Sequence, residues 1–67
     1  MKYQIRVTEA SGDMVELLDV NAISHADAEM HQTRHWNQGY AHTADRYQSE
    51  LLEDGAVVMT IGGWEDE

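Results

Sequence analysis

His31 and His35 stand four residues apart, with Asp27 four residues before His31, so on a helix these three metal-binding groups would project from adjacent turns. Two imidazoles and a carboxylate in that spacing suit zinc or nickel. The segment HQTRH also has the outline of the zinc-protease helix motif HExxH, but Gln32 occupies the place of the glutamate that would act as general base. A hydrolase of that type is therefore not expected. Histidines along an exposed helical face are more often plain polar surface, and Asp27, His31 and His35 are metal candidates only against that blander reading. The chain has no cysteine, no nucleophile elbow and no glycine-rich loop ahead of a helix, and its carboxylates lack an evident apolar pocket. These absences predict a protein that is not an enzyme and holds no cofactor.

Charge is the stronger signal. Thirteen acids face four bases, a net charge of -9, and the last third of the chain, residues 43–67, carries -6 of it. Nucleic acid and anionic membrane would both have to be approached against like charge, so a basic protein surface is the favoured partner. One reading is that the acids only keep a small protein soluble; the sharper reading is that they stand in for DNA phosphates. Duplex DNA carries one charge per ~1.7 Å, so nine net charges match about 15 Å of it, whereas a domain of this size is roughly 28 Å across. Mimicry requires clustering. The candidate cluster is Glu50, Glu53 and Asp54, joined from the first hairpin by Asp13, Glu16 or Asp19.

The elements that would position these groups can be read from period and turn chemistry. Residues 2–10 alternate, with Tyr3, Ile5 and Val7 on one face. Ser11, Gly12 and Asp13 supply a turn, and residues 14–22 form a second strand; a two-residue loop at Ser11 and Gly12 sets Ile5 against Leu18 and Tyr3 against Val20. Val15 and Leu17 then fall on the other face, without cover. Residues 24–38 read as a helix with Ser24 as N-cap and Asp27 in the capping-box place. Its predicted core stripe is Ala26, Met30, Thr33, Trp36 and Tyr40, and Gly39 is the predicted stop. After a connector, Asp54 and Gly55 predict a hairpin of strands 46–53 and 56–61, with Leu52, Val57, Met59 and Ile61 on one face and Tyr47, Leu51 and Val58 on the other. The alternative is a second helix capped by Thr43 and ended by Gly55. Gly62 and Gly63 release the last strand, Trp64 is a candidate anchor, and residues 65–67 form an acidic tail.

The fold expectation is a single α+β domain, residues 1–67, in the order β-β-α-β-β, or β-β-α-α-β if the second helix forms. No segment approaches the ~20 apolar residues of a membrane span, no signal-like run opens the chain, and a cytoplasmic setting is expected. A short, cysteine-free, strongly acidic chain with this layout resembles the small phage proteins that inhibit host defence, above all the anti-CRISPR proteins. The resemblance spans the whole length and rests on layout and charge, with MKYQIRV opening the first strand, AISHADAE opening the helix and LLEDGAVV at the second hairpin. It implies a stoichiometric inhibitor, working in the host cytoplasm, that docks on the basic nucleic-acid-binding surface of a CRISPR effector subunit and blocks DNA. Two other functions compete with it: a self-associating adaptor, a homodimer for instance, that uses an exposed apolar sheet face, and the histidine-based metal binder.

Overall fold

The computed structural model describes residues 2–63, in the order β1 (Tyr3–Glu9), β2 (Met14–Val20), α1 (His25–Gly39), β3 (Tyr47–Glu53) and β4 (Ala56–Gly62). This is the expected α+β layout. The second helix does not form, because Asp54 at φ 52° and Gly55 at φ 90° turn the chain straight from β3 into β4. Trp64 and the tail, residues 65–67, lie outside the described residues. All strands are antiparallel to their neighbours in the sheet order β2-β1-β3-β4, so β1 and β3 are central and β2 and β4 are edges. Burial follows that order: the core gathers Tyr3, Ile5 and Val7 from β1, Leu51 from β3 and Ala28 from the helix.

The first hairpin has the predicted register, with Tyr3 opposite Val20 and Ile5 opposite Leu18. It departs from the prediction beyond Val7, where a bulge makes Val15 the extra residue and sets Thr8 opposite Met14. The loop is accordingly residues 10–13, closed by the Glu9 N–H on the Asp13 carbonyl at 2.9 Å. A second bulge in β4 corrects the predicted faces of the other hairpin. Leu51 pairs with Met59 and Ser49 with Ile61 on the helix side, while Leu52 pairs with Val57 on the far side, Val58 being the extra residue. One residue inserted in a strand reverses which face its neighbours take.

The helix begins as expected: Ser24 Oγ accepts from the Asp27 N–H at 3.1 Å, and the Asp27 carboxylate accepts from the Ile23 N–H at 3.2 Å. Its inward face matches the predicted stripe only at the C-terminal end, where Trp36 is buried and Tyr40 packs against the core. Ala28, Gln32 and Trp36 are the buried positions, whereas Ala26 and Thr33 are exposed and Met30 is 56% exposed. Ala28 is small enough to let the helix approach β1 and β3, and Gln32 is accepted in the core because its Nε2 donates to the Ser49 carbonyl at 3.1 Å, Ser49 Oγ at 3.2 Å and the Met59 carbonyl at 3.4 Å. Gly39 is the last helical residue rather than the stop. Tyr40 is the C-cap, its N–H bonded to the Trp36 carbonyl at 2.7 Å and its ring packed on Trp36 and Tyr47.

At the end of β4 the Trp36 ring of the helix lies close against the backbone. Gly62 has φ +84°, and a Cβ there would stand 2.6 Å from the Tyr47 carbonyl oxygen and 2.9 Å from Trp36 Cη2. Gly55 has a similar φ of +90° but open space around it. Gly62→Ala should therefore cost at least about 2 kcal/mol of unfolding free energy, combining left-handed strain with a forced backbone shift, whereas Gly55→Ala should cost only about 1 kcal/mol. Urea unfolding of the two variants beside the parent measures the difference, and equal losses would show that Trp36 does not press on β4.

Candidate functional site

One helix cannot cover both faces of four strands, and among the described residues no element lies across the far face of this sheet. Its rows follow from the register: Asp19, Gln4, Leu52 and Val57 across the middle of the strands, then Leu17, Arg6, Glu50 and Thr60, then Met14, Thr8, Gln48 and Gly62. The polar side chains at its centre satisfy one another. Arg6 Nε meets Glu50 Oε1 at 2.7 Å, Gln48 Nε2 donates to Glu50 Oε2 at 3.3 Å, and Gln4 Nε2 donates to Asp19 Oδ1 at 3.0 Å. Around this neutralised centre lie Met14, Val15 and Leu17 on the β2 edge and Val57 and Val58 on the β4 edge, each between 40% and 58% exposed. The expected exposure of Val15 and Leu17 is thus found, and Val57 joins them because of the β4 bulge.

The six acidic candidates are not gathered in one row. Asp19 and Glu50 lie on the open face, Glu50 engaged by Arg6. Asp13 is in the β1–β2 loop, where it accepts from Ser11 Oγ at 3.3 Å, and Asp54 is in the β3–β4 turn, where it accepts from the Lys2 N–H at 2.8 Å. These two turns mark opposite ends of the sheet, roughly 24 Å apart over seven-residue strands at ~3.4 Å per residue. Glu53 belongs to the helix side, its Oε1 3.6 Å from His25 Nδ1. So does Glu16.

Glu16 reveals a cluster that no local pattern announces. Its Oε1 accepts from Tyr40 Oη at 2.9 Å and from His35 Nε2 at 3.1 Å, while His35 Nδ1 is buried without a partner. The trio ties β2 to the end of α1. Burial first, then the hydrogen bond to Glu16 and the charges of Glu16 and Tyr47, push the Tyr40 phenol from its ordinary 10.0 up to about 12. Burial, with the charges of Glu53 and Asp54, raises the phenol of Tyr3 as well.

The metal candidates are also drawn apart. His31 Nε2 is 3.5 Å from Asp27 Oδ2, but His35 turns to Glu16, and among the described residues no three His, Asp or Glu side chains stand together in a way that could hold an ion. His31, Arg34, His35 and Gln38 instead form one wall of an open groove of about 370 Å³ between α1 and β2, floored by Ile5, Leu18 and Val20. No helix among the described residues is long and apolar enough to cross a membrane. No family model, curated protein or solved structure matches the chain.

Tyr40 offers a direct check on this packing. A phenol raised in the folded state contributes stability that is fully present below pH 10 and is lost as the pH climbs through about 12. Titration followed by phenolate absorbance should show Tyr40 ionising late, with thermal stability falling over the same window. Glu16→Gln should bring that ionisation down while leaving it above 10, since burial is the larger cause; no movement at all would mean the hydrogen bond is absent.

Proposed function

We propose that the protein is a non-catalytic binding protein which docks the open face of its sheet on a basic nucleic-acid-binding surface and keeps DNA off it. In its specific form this is a phage inhibitor of the anti-CRISPR type, acting stoichiometrically on an effector subunit in the host cytoplasm. The observation that carries the reading is the composition of the open face. Exposed Met14, Val15, Leu17, Val57 and Val58 flank a charge-neutralised centre, and Asp13, Asp19 and Asp54, none in an ion pair among the described residues, stand around it. Exposed apolar side chains around a polar centre whose groups already satisfy one another leave little unpaired charge to desolvate when a protein docks.

The division of labour follows. Rim carboxylates steer the encounter with lysines and arginines of the partner, and the apolar side chains, once desolvated, slow dissociation. A net charge of -9 makes the steering strong at low salt. Exclusion of DNA then needs no imitation of a phosphate row, only occupation of the cleft by a body of the same sign. The adaptor reading uses the same face, but two copies meeting through it would bring their own Asp13, Asp19 and Asp54 together, which favours a basic partner over a second copy at this surface.

The test begins with a partner captured from bacterial lysate on the immobilised protein. Its affinity should fall steeply between about 50 and 500 mM salt, and DNA should compete. Leu17→Asp should weaken binding by about tenfold or more, the loss of an exposed apolar contact, with the melting temperature retained. A partner that holds DNA and this protein together, or whose affinity ignores salt, would overturn the proposal.

A further inference from the structure

The groove between α1 and β2 runs along a strand edge that has no partner strand among the described residues. Which backbone groups that edge presents follows from the ends of β1. The Ala10 N–H bonds to the Arg46 carbonyl and the Lys2 carbonyl accepts from Asp54, both toward β3, while the Glu9 N–H bonds to Asp13 on the β2 side. Even-numbered residues of β1 therefore face β3 and odd-numbered ones face β2. Glu16, Leu18 and Val20, the partners of Val7, Ile5 and Tyr3, turn their backbone groups inward, and the N–H and C=O of Leu17 and Asp19 point outward from the sheet.

Beside that edge the groove offers a cation and no uncommitted carboxylate. Arg34 is exposed and has neither an ion pair nor a hydrogen bond among the described residues, in a chain where acids outnumber bases thirteen to four. The neighbouring acids are held elsewhere. The Asp19 carboxylate accepts from Gln4 on the opposite face of the sheet at 3.0 Å, Glu16 Oε1 accepts from His35 and Tyr40, and Asp27 Oδ2 lies 3.5 Å from His31. The floor of the groove, Ile5, Leu18 and Val20, is apolar. We propose that this side of the molecule binds an extended peptide segment of another protein, which adds to β2 as a further strand and sets a carboxylate side chain against Arg34.

Backbone and side chains divide the recognition. A strand laid beside β2 bonds to the main chain of Leu17 and Asp19, and those bonds are indifferent to its sequence. Its side chains alternate, so the residues opposite Leu18 and Val20 turn toward the helix. There an apolar side chain covers the floor, and an acidic one two residues away meets the Arg34 guanidinium, whose fork takes a carboxylate through two parallel hydrogen bonds. The groove, about 370 Å³, is large enough for both. The net charge of -9 opposes an acidic segment only weakly at the contact, since at about 0.15 M salt charges beyond ~8 Å are screened. A small carboxylic acid would fill the groove and leave Leu17 and Asp19 unengaged, which favours an extended chain.

The probe is the acetylated and amidated heptapeptide Thr-Val-Thr-Glu-Thr-Val-Thr, with valine, glutamate and valine on one face, beside its counterpart with lysine for glutamate. Titrated to about 5 mM into isotope-labelled protein, the glutamate peptide should shift the amide resonances of Leu17 and Asp19 and the side-chain N–H of Arg34. The lysine peptide should bind about tenfold or more weakly. Arg34→Glu, at an exposed position with no bond to lose, should keep the spectrum of the fold and reverse that preference. Methylating the nitrogens of the two threonines that flank the glutamate, the ones that face β2, should abolish binding. Arg34 lies on the helix side of the sheet, away from the proposed docking face, so the two proposals fail separately. Absence of shifts at the highest concentration, an equal response to both peptides, a preference that Arg34→Glu leaves unchanged, or full binding by the methylated peptide would each overturn the proposal.

Discussion

The amide of Gln32 is the contact on which the rest of the structure depends. It is completely buried, and its Nε2 has three acceptors within reach on two strands, Ser49 carbonyl and hydroxyl on β3 and the Met59 carbonyl on β4. Its own Oε1 has no partner. Each bond made contributes about 0.5–1.5 kcal/mol and the orphaned oxygen costs about 1–3 kcal/mol, so the group adds little to net stability. Its consequence is positional. Sliding the helix by a turn, or rotating it toward Met30, would leave the amide and the Ser49 hydroxyl unpaired in an apolar interior, a larger penalty than any gain from burying one more methionine.

Because the helix is held over β3 and β4, the surfaces it leaves uncovered are determined too. The helix side of β2 opens into a groove bordered by His31 and Arg34. Among the described residues no element lies across the far face of the sheet, and there the chain keeps its central polar groups paired, Leu52 buried beside them and its exposed apolar side chains toward the edges.

Much of the architecture is legible in the residues. The alternation of Tyr3, Ile5 and Val7, the Ser24 and Asp27 cap and the Asp54–Gly55 turn each act over a few positions, so pattern alone recovers the register of the first hairpin as far as Val7, the second turn and the helix start. What is not legible depends on distant partners. Nothing local marks Gln32 as a core residue; its acceptors come from Ser49, 17 residues away. The bulges at Val15 and Val58 leave no mark on composition, yet the second moves Leu52 and Val57 to the far face. Glu16, His35 and Tyr40 meet only because β2 runs beside the end of α1. The dispersal of the six candidate acids likewise follows from strand order and the positions of the two turns.

The placement of the helix is tested most directly by nuclear magnetic resonance of its side chains. The account predicts that the Gln32 amide protons exchange with water far more slowly than those of exposed Gln38, and give Overhauser contacts to Ser49 and Met59. Rapid exchange at Gln32, together with contacts from the Met30 methyl to Leu51 at the centre of the core, would contradict it.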